Sequence, residues 1–229
     1  TFAVNVRQLG ASVLARTAVA GVDDAIRDIL EALDRAGIRD QSTIIVTGDH
    51  GFVNTHTSVA PNLWLKEAGL FTDNENWKAQ FHTVGGSAFL MLNDPKDKRT
   101  ASRAREVLNS LPEAQKKLFK VIERHSLDSL GVDPQAAFAL AAVPGIVFRN
   151  STSGPLLGTH RNGTHGYYSD LPQIKTGFVA YGAGIRKGLE IDRLGLEDIA
   201  PLVAELLGLE FKPKAGVLMK GLLATEEAH

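Results

Sequence analysis

Apolar residues recur along this chain in two rhythms. Val22, Ile26, Ile29 and Leu33 are spaced four, three and four apart, which predicts a helix with one apolar face that Gly37 ends as a cap. Ile199, Leu202, Val203 and Leu206 predict a second helix in "DIAPLVAELLGL", closed by Gly208. "RTASRAREVLNSL" predicts a third, whose Arg99, Arg103 and Arg105 read as a solvated face. Strands are predicted at "FAVNV" (2–6), "TIIVT" (43–47), "SAFLML" (87–92) and within "KTGFVAYG" (175–182). A strand, a helix and a strand in that order predict a right-handed β-α-β unit with parallel strands, the strands at 43–47 and 176–181 lying inside the sheet. Between residues 53 and 85 the pattern weakens to a short helix around "NLWLKEAGL" and polar loops. "LFKVIE" and "AAFALAAVPGIVFR" read as β-like, although "PQAAFALAA" fits the start of a helix equally well. The expectation is an α/β core with a mostly parallel sheet flanked by helices, and cap or insert regions at 53–85 and 94–160.

Composition narrows the chemistry. At 229 residues, with 44% hydrophobic and 22% charged side chains, the chain can bury a sizeable core. A formal net charge of −1 predicts no general attraction to nucleic acid polymers or anionic membranes. No run approaches the roughly 18 apolar residues of a membrane span. The sequence contains no cysteine, so any zinc site must be built from His, Asp and Glu.

Two glycine-rich stretches concentrate candidate ligands. "VTGDHGF" sets Asp49 and His50 between Gly48 and Gly51 directly after an apolar strand, where ligands gather in parallel sheets. Asp and Gly also form ordinary turns after strands, so the motif alone leaves both readings open. "GTHRNGTHGYY" (158–168) places His160 and His165 in what reads as a loop. His56, His82, His125 and His229 stand in no motif and read as surface or packing residues.

"VDDAI", "VTGDHGF", "FAL", "PGIVF", "GTHGYYSD", "TGFVAYGAGIRKG" and "DIAPLVAELLGL", in that order, resemble the type I phosphodiesterase and nucleotide pyrophosphatase family of the alkaline phosphatase superfamily. The resemblance spans residues 20–222. It implies an alkaline-phosphatase-like fold, of which residues 1–229 would form the C-terminal part, and hydrolysis of phosphodiester or pyrophosphate bonds in a small-molecule substrate. It further implies two zinc ions, or other divalent metals, with Asp49 and His50 binding one and His165 the other. His160 lacks the following "GYY" and reads as a loop residue. A periplasmic or secreted location is favoured by the resemblance alone.

The departures are equally specific. The family's nucleophilic threonine lies in a segment upstream of anything present here, so no catalytic nucleophile is assigned in this chain. A second family ligand pair, spaced DxxxH before a glycine, falls on Ala3 and Arg7 when set on Gly10, and neither can bind metal. The chain is therefore expected to lack the nucleophile and to bind metal poorly by itself. The alternatives are a phosphomonoesterase, phosphonate hydrolase or sulfatase of the same superfamily, or a catalytically dead module that kept the fold.

Overall fold

A computed structural model of the chain describes residues 13–73 and 75–224. The predicted strand at 2–6 and the positions of Ala3, Arg7 and His229 lie outside the described residues. The chain divides into two compact units, His50–Lys175 and the pair of segments Thr1–Asp49 and Thr176–His229.

The unit His50–Lys175 holds both hydrophobic clusters found among the described residues. The strand that precedes it in the chain, β1 (Thr43–Thr47), belongs to the other unit. After β2 (Val53–Val59) come α2 (Pro61–Glu67), β3 (Ala79–Val84), β4 (Ser87–Leu92) and α3 (Lys98–Asn109). A single turn, α4 (Glu113–Lys116), precedes β5 (Phe119–Ile122), α5 (Arg124–Ser129), β6 (Ala136–Ala142), β7 (Ile146–Phe148) and β8 (Leu157–Thr164).

Four of these strands form an antiparallel sheet in the order β3-β4-β6-β5. β6, "AAFALAA", is almost wholly buried, as an inner strand with both faces covered must be, which decides the strand over the helix for that segment. Phe81 and Phe138 meet edge to face in the larger cluster, 6.2 Å between centroids. α3 begins where the Asp97 carboxylate accepts from the Thr100 backbone N–H, and it buries Thr100, Ala104 and Leu108. Arg103 pairs with Glu106 in solvent, as a solvated face requires. Arg105 instead lies over the Phe138 ring at 4.4 Å and reaches Glu123.

β2 is the middle strand of a second sheet, parallel to β7 and antiparallel to β8. Sequence reading expected a loop at 158–168 and no strands between 53 and 85, yet β2 ("VNTHTSV"), β3 ("AQFHTV") and β8 ("LGTHRNGT") are all paired. Each carries polar residues where a local alternation signal would need apolar ones, so pairing with distant partners makes the strand.

The other unit contains α1 (Val13–Arg35), β1, β9 (Phe178–Gly182) and α6 (Ile199–Leu206). β1 and β9 pair antiparallel from Thr43↔Gly182 to Thr47↔Phe178, where a parallel arrangement was expected. Among the described residues only β2 and β7 run parallel. The parallel partner predicted for β1 was the strand at 2–6, outside the described residues. Gly37 and Gly208 have φ of 67° and 64°, the left-handed caps expected after α1 and α6. Val22 and Ile29, on the apolar face of α1, are 57% and 55% exposed. Among the described residues no helix is long and apolar enough to cross a membrane.

Candidate functional site: a stacked histidine pair

The register of β2 against β8 assembles the site. Val53 pairs with Thr164 as the last rung of the β2–β8 ladder, so Phe52 and His50 on one side and His165 on the other lie just beyond that end. The outcome is a face-to-face contact between His50 and His165, with ring centroids 4.2 Å apart and planes 14° from parallel. Phe52 closes against both, 5.5 Å from each ring, tilted on His50 and edge-on to His165. His50 is half-buried and His165 exposed.

Backbone contacts hold the two rings. Gly51 N–H donates to the Ile174 carbonyl at 2.6 Å, tying the turn after His50 to the short 3-10 helix Pro172–Ile174. The Nδ1 of His50 lies 3.1 Å from the Gly51 carbonyl oxygen, which can only accept. That contact requires the proton on Nδ1. Tyr167, two residues after His165, is buried, and its hydroxyl donates to the Ile146 carbonyl at 2.6 Å. Burial pushes the Tyr167 phenol up to about 12, so it remains a donor throughout the physiological range.

The remaining candidates are distributed as follows. Asp49 follows β1 and is exposed, and it belongs to the other compact unit. His160 lies on β8 rather than in a loop, at a register shift between β2 and β8, with Nδ1 2.6 Å from Thr55 Oγ1. Thr55 donates its only hydroxyl proton to the Asn162 carbonyl at 2.8 Å, so His160 Nδ1 must be the donor to Thr55. His56 binds Thr57 Oγ1, and His125 binds Ser126 Oγ. His82 is on β3 opposite Phe89.

Sequence reading missed Phe52, Tyr167 and the Gly85–Gly86 doublet. Only the doublet carried a usable local signal, two glycines between apolar runs, which marks a hairpin. Among the described residues no group of three or more His, Asp or Glu side chains could hold a metal ion.

A sequence profile for type I phosphodiesterase / nucleotide pyrophosphatase matches residues 8–179. The chain belongs to that family. Over 198 residues it is 26% identical to Bis(5'-adenosyl)-triphosphatase enpp4 of Mus musculus, a match covering 86% of this chain and 40% of the relative. The Homo sapiens counterpart is 24% identical over 199 residues, covering 85% and 39%. The chain thus spans about two fifths of the length of these curated relatives. Human ectonucleotide pyrophosphatase / phosphodiesterase 5 matches in structure with a TM-score of 0.74 at 17% identity, over 95% of this chain and 55% of that one. An inactive variant of the murine protein, solved in complex with AMP, matches with a TM-score of 0.71 at 21% identity, over 94% and 54%. These likenesses establish a mixed α/β, alkaline-phosphatase-like fold.

Proposed function

We propose that this chain carries part of the two-metal site of an enzyme that hydrolyses phosphodiester or pyrophosphate bonds in a small nucleotide-like substrate. The observation supporting it most directly is the parallel stack of His50 and His165 at 4.2 Å. Stacked rings cannot both aim in-plane lone pairs at one ion. They suit one ligand to each of two ions, whose usual separation is about 3.5–4 Å. Imidazole nitrogen together with a carboxylate such as that of Asp49, next to His50 in the sequence, is a donor chemistry suited to zinc. Among the described residues the donor set is short of the three or four protein ligands each such ion usually needs. When bound, the ions would stabilise charge on the attacking and leaving oxygens. This chain's own contribution is to hold His50 and His165 in their stack, with Phe52 packed against both rings. The regions 53–85 and 94–160 are proposed to cap the substrate side.

The test uses zinc titration of the 229-residue chain followed by histidine NMR, and hydrolysis of a nitrophenyl phosphodiester in a polypeptide that supplies the rest of the fold. The chain alone should bind zinc weakly, with the resonances of His50 and His165 moving first. In the longer polypeptide, His50→Ala and His165→Ala should each remove most activity. Mutants as active as the parent would refute the assignment. A folded chain whose zinc shifts fall on other histidines would favour the binding-module reading.

A further inference from the structure

The hairpin between β3 and β4 reaches across to the strand that carries His165. Val84 pairs with Ser87, so Gly85 and Gly86 form a two-residue turn, with Gly85 at a φ of 59°. The backbone N–H of Gly86 donates to the His165 carbonyl at 2.9 Å. That bond matters because the β2–β8 ladder ends at Val53↔Thr164, leaving His165 one residue past the last ladder position. On the other side the turn is itself anchored. Phe148 N–H donates to the Gly85 carbonyl and Ala142 N–H to the Gly86 carbonyl, both at 2.8 Å.

The approach is closed to side chains. A Cβ on Gly85 would overlap the His165 carbonyl oxygen, and one on Gly86 would enter the Tyr167 ring, which lies flat against it. Gly166, with a φ of 73°, comes equally close to the Val84 carbonyl. Residues 165–167 are therefore held between a glycine turn and the Tyr167 bond to the Ile146 carbonyl.

We propose that Gly85, Gly86 and Tyr167 are positioning residues for His165, and that this glycine turn, acting through the His165 backbone, sets the imidazole in its stack on His50. The turn need not touch substrate. Its effect is on where the ligand nitrogen stands, and a displacement there weakens a metal site even when the ligand itself is intact. The link to metal rests on the function proposed above; the stack itself does not.

The experiment compares Gly86→Ala, Tyr167→Ala, Tyr167→Phe and Gly131→Ala in the 229-residue chain, without metal first. Gly131 is the control: its φ of 68° strains an alanine on the backbone alone, a strain Gly86 does not carry, and no atom lies within 4 Å of a Cβ there. Stacking displaces the imidazole proton resonances of His50 and His165 upfield. Gly86→Ala and Tyr167→Ala should abolish that displacement. Tyr167→Phe, which keeps the ring on Gly86 and loses only the hydroxyl, should retain it, and so should Gly131→Ala. Zinc affinity should then fall about 10-fold or more in the first two variants, the range typical of supporting groups around a metal site. Unmoved histidine resonances in Tyr167→Ala overturn the proposal, as does an equal loss in Gly131→Ala. Should Gly86→Ala fail to fold, the Tyr167 pair decides alone. Loss of the stack with unchanged zinc binding would sustain the positioning role and sink the metal reading instead.

Discussion

Asn62 offers the sharpest quantitative test of the packing behind this site. It is fully buried at the start of α2, and its side chain brackets the Phe81 backbone: Oδ1 accepts from Phe81 N–H at 2.7 Å, and Nδ2 donates to the Phe81 carbonyl at 2.9 Å. Nδ2 also reaches Asn150 Oδ1 at 3.1 Å. One amide thus stands where a neighbouring strand would stand, satisfying the outer edge of β3. Asn62→Leu keeps the approximate volume but strands a buried N–H and a buried carbonyl. Each unmet group costs about 1–3 kcal/mol, and burying leucine returns part of that, so the expected loss is about 3 kcal/mol. Against a typical total of about 5–15 kcal/mol this is large. Trp64 and Trp77 both lie in the unit His50–Lys175, so tryptophan fluorescence during urea unfolding reports on the affected unit. With a urea slope of about 2 kcal/mol/M, the midpoint should fall by about 1.5 M. Asn62→Asp should be worse at pH 7 than at pH 4. A carboxylate buried against two acceptors has a raised pKa, so its penalty is present above the ordinary carboxylate range and relieved as pH falls. A midpoint shift in Asn62→Leu below about 0.3 M would show that the edge finds other partners and would refute the reasoning.

Two further outcomes follow from groups whose titration the fold shifts. The Tyr167 phenol, raised from 10.0 to about 12 by burial, contributes stability that is complete below pH 10 and lost as pH rises from 10 towards 12; alkaline unfolding monitored by tyrosinate absorbance should lose that phase in Tyr167→Phe. The Asp97 carboxyl is held below its ordinary value chiefly by the Thr100 hydroxyl and by the Thr100 backbone N–H, so its contribution is present above about pH 4 and lost as pH falls through the lowered value; amide protection factors in the first turn of α3, taken relative to the intrinsic rate at each pH, should fall on acidification in the parent and be already low, with little pH dependence, in Asp97→Ala.

What the linear sequence determined about this protein was whatever a short window can encode. The apolar runs of β1 and β4, the helix at α3, the helical stripe of α6, the caps at Gly37 and Gly208, and the ordered motifs that carry the family likeness were all legible, because each depends on neighbours within a few residues. The parallel reading of β1 and β9 went astray because strand direction depends on which partner is chosen, and that choice is made across more than 130 residues of intervening chain. β2, β3 and β8 were invisible for a related reason: "VNTHTSV", "AQFHTV" and "LGTHRNGT" are too polar to announce themselves, and they become strands only through ladders closed elsewhere. His50 and His165 were named from their glycine-flanked motifs, but their stack forms just past the end of the β2–β8 ladder at Val53↔Thr164, and His165 is held by the turn at Gly85–Gly86, some 80 residues away in sequence. A side chain's chemistry is local and can be read in order; the geometry that makes two such side chains act together is a property of contacts between segments that the sequence never places side by side.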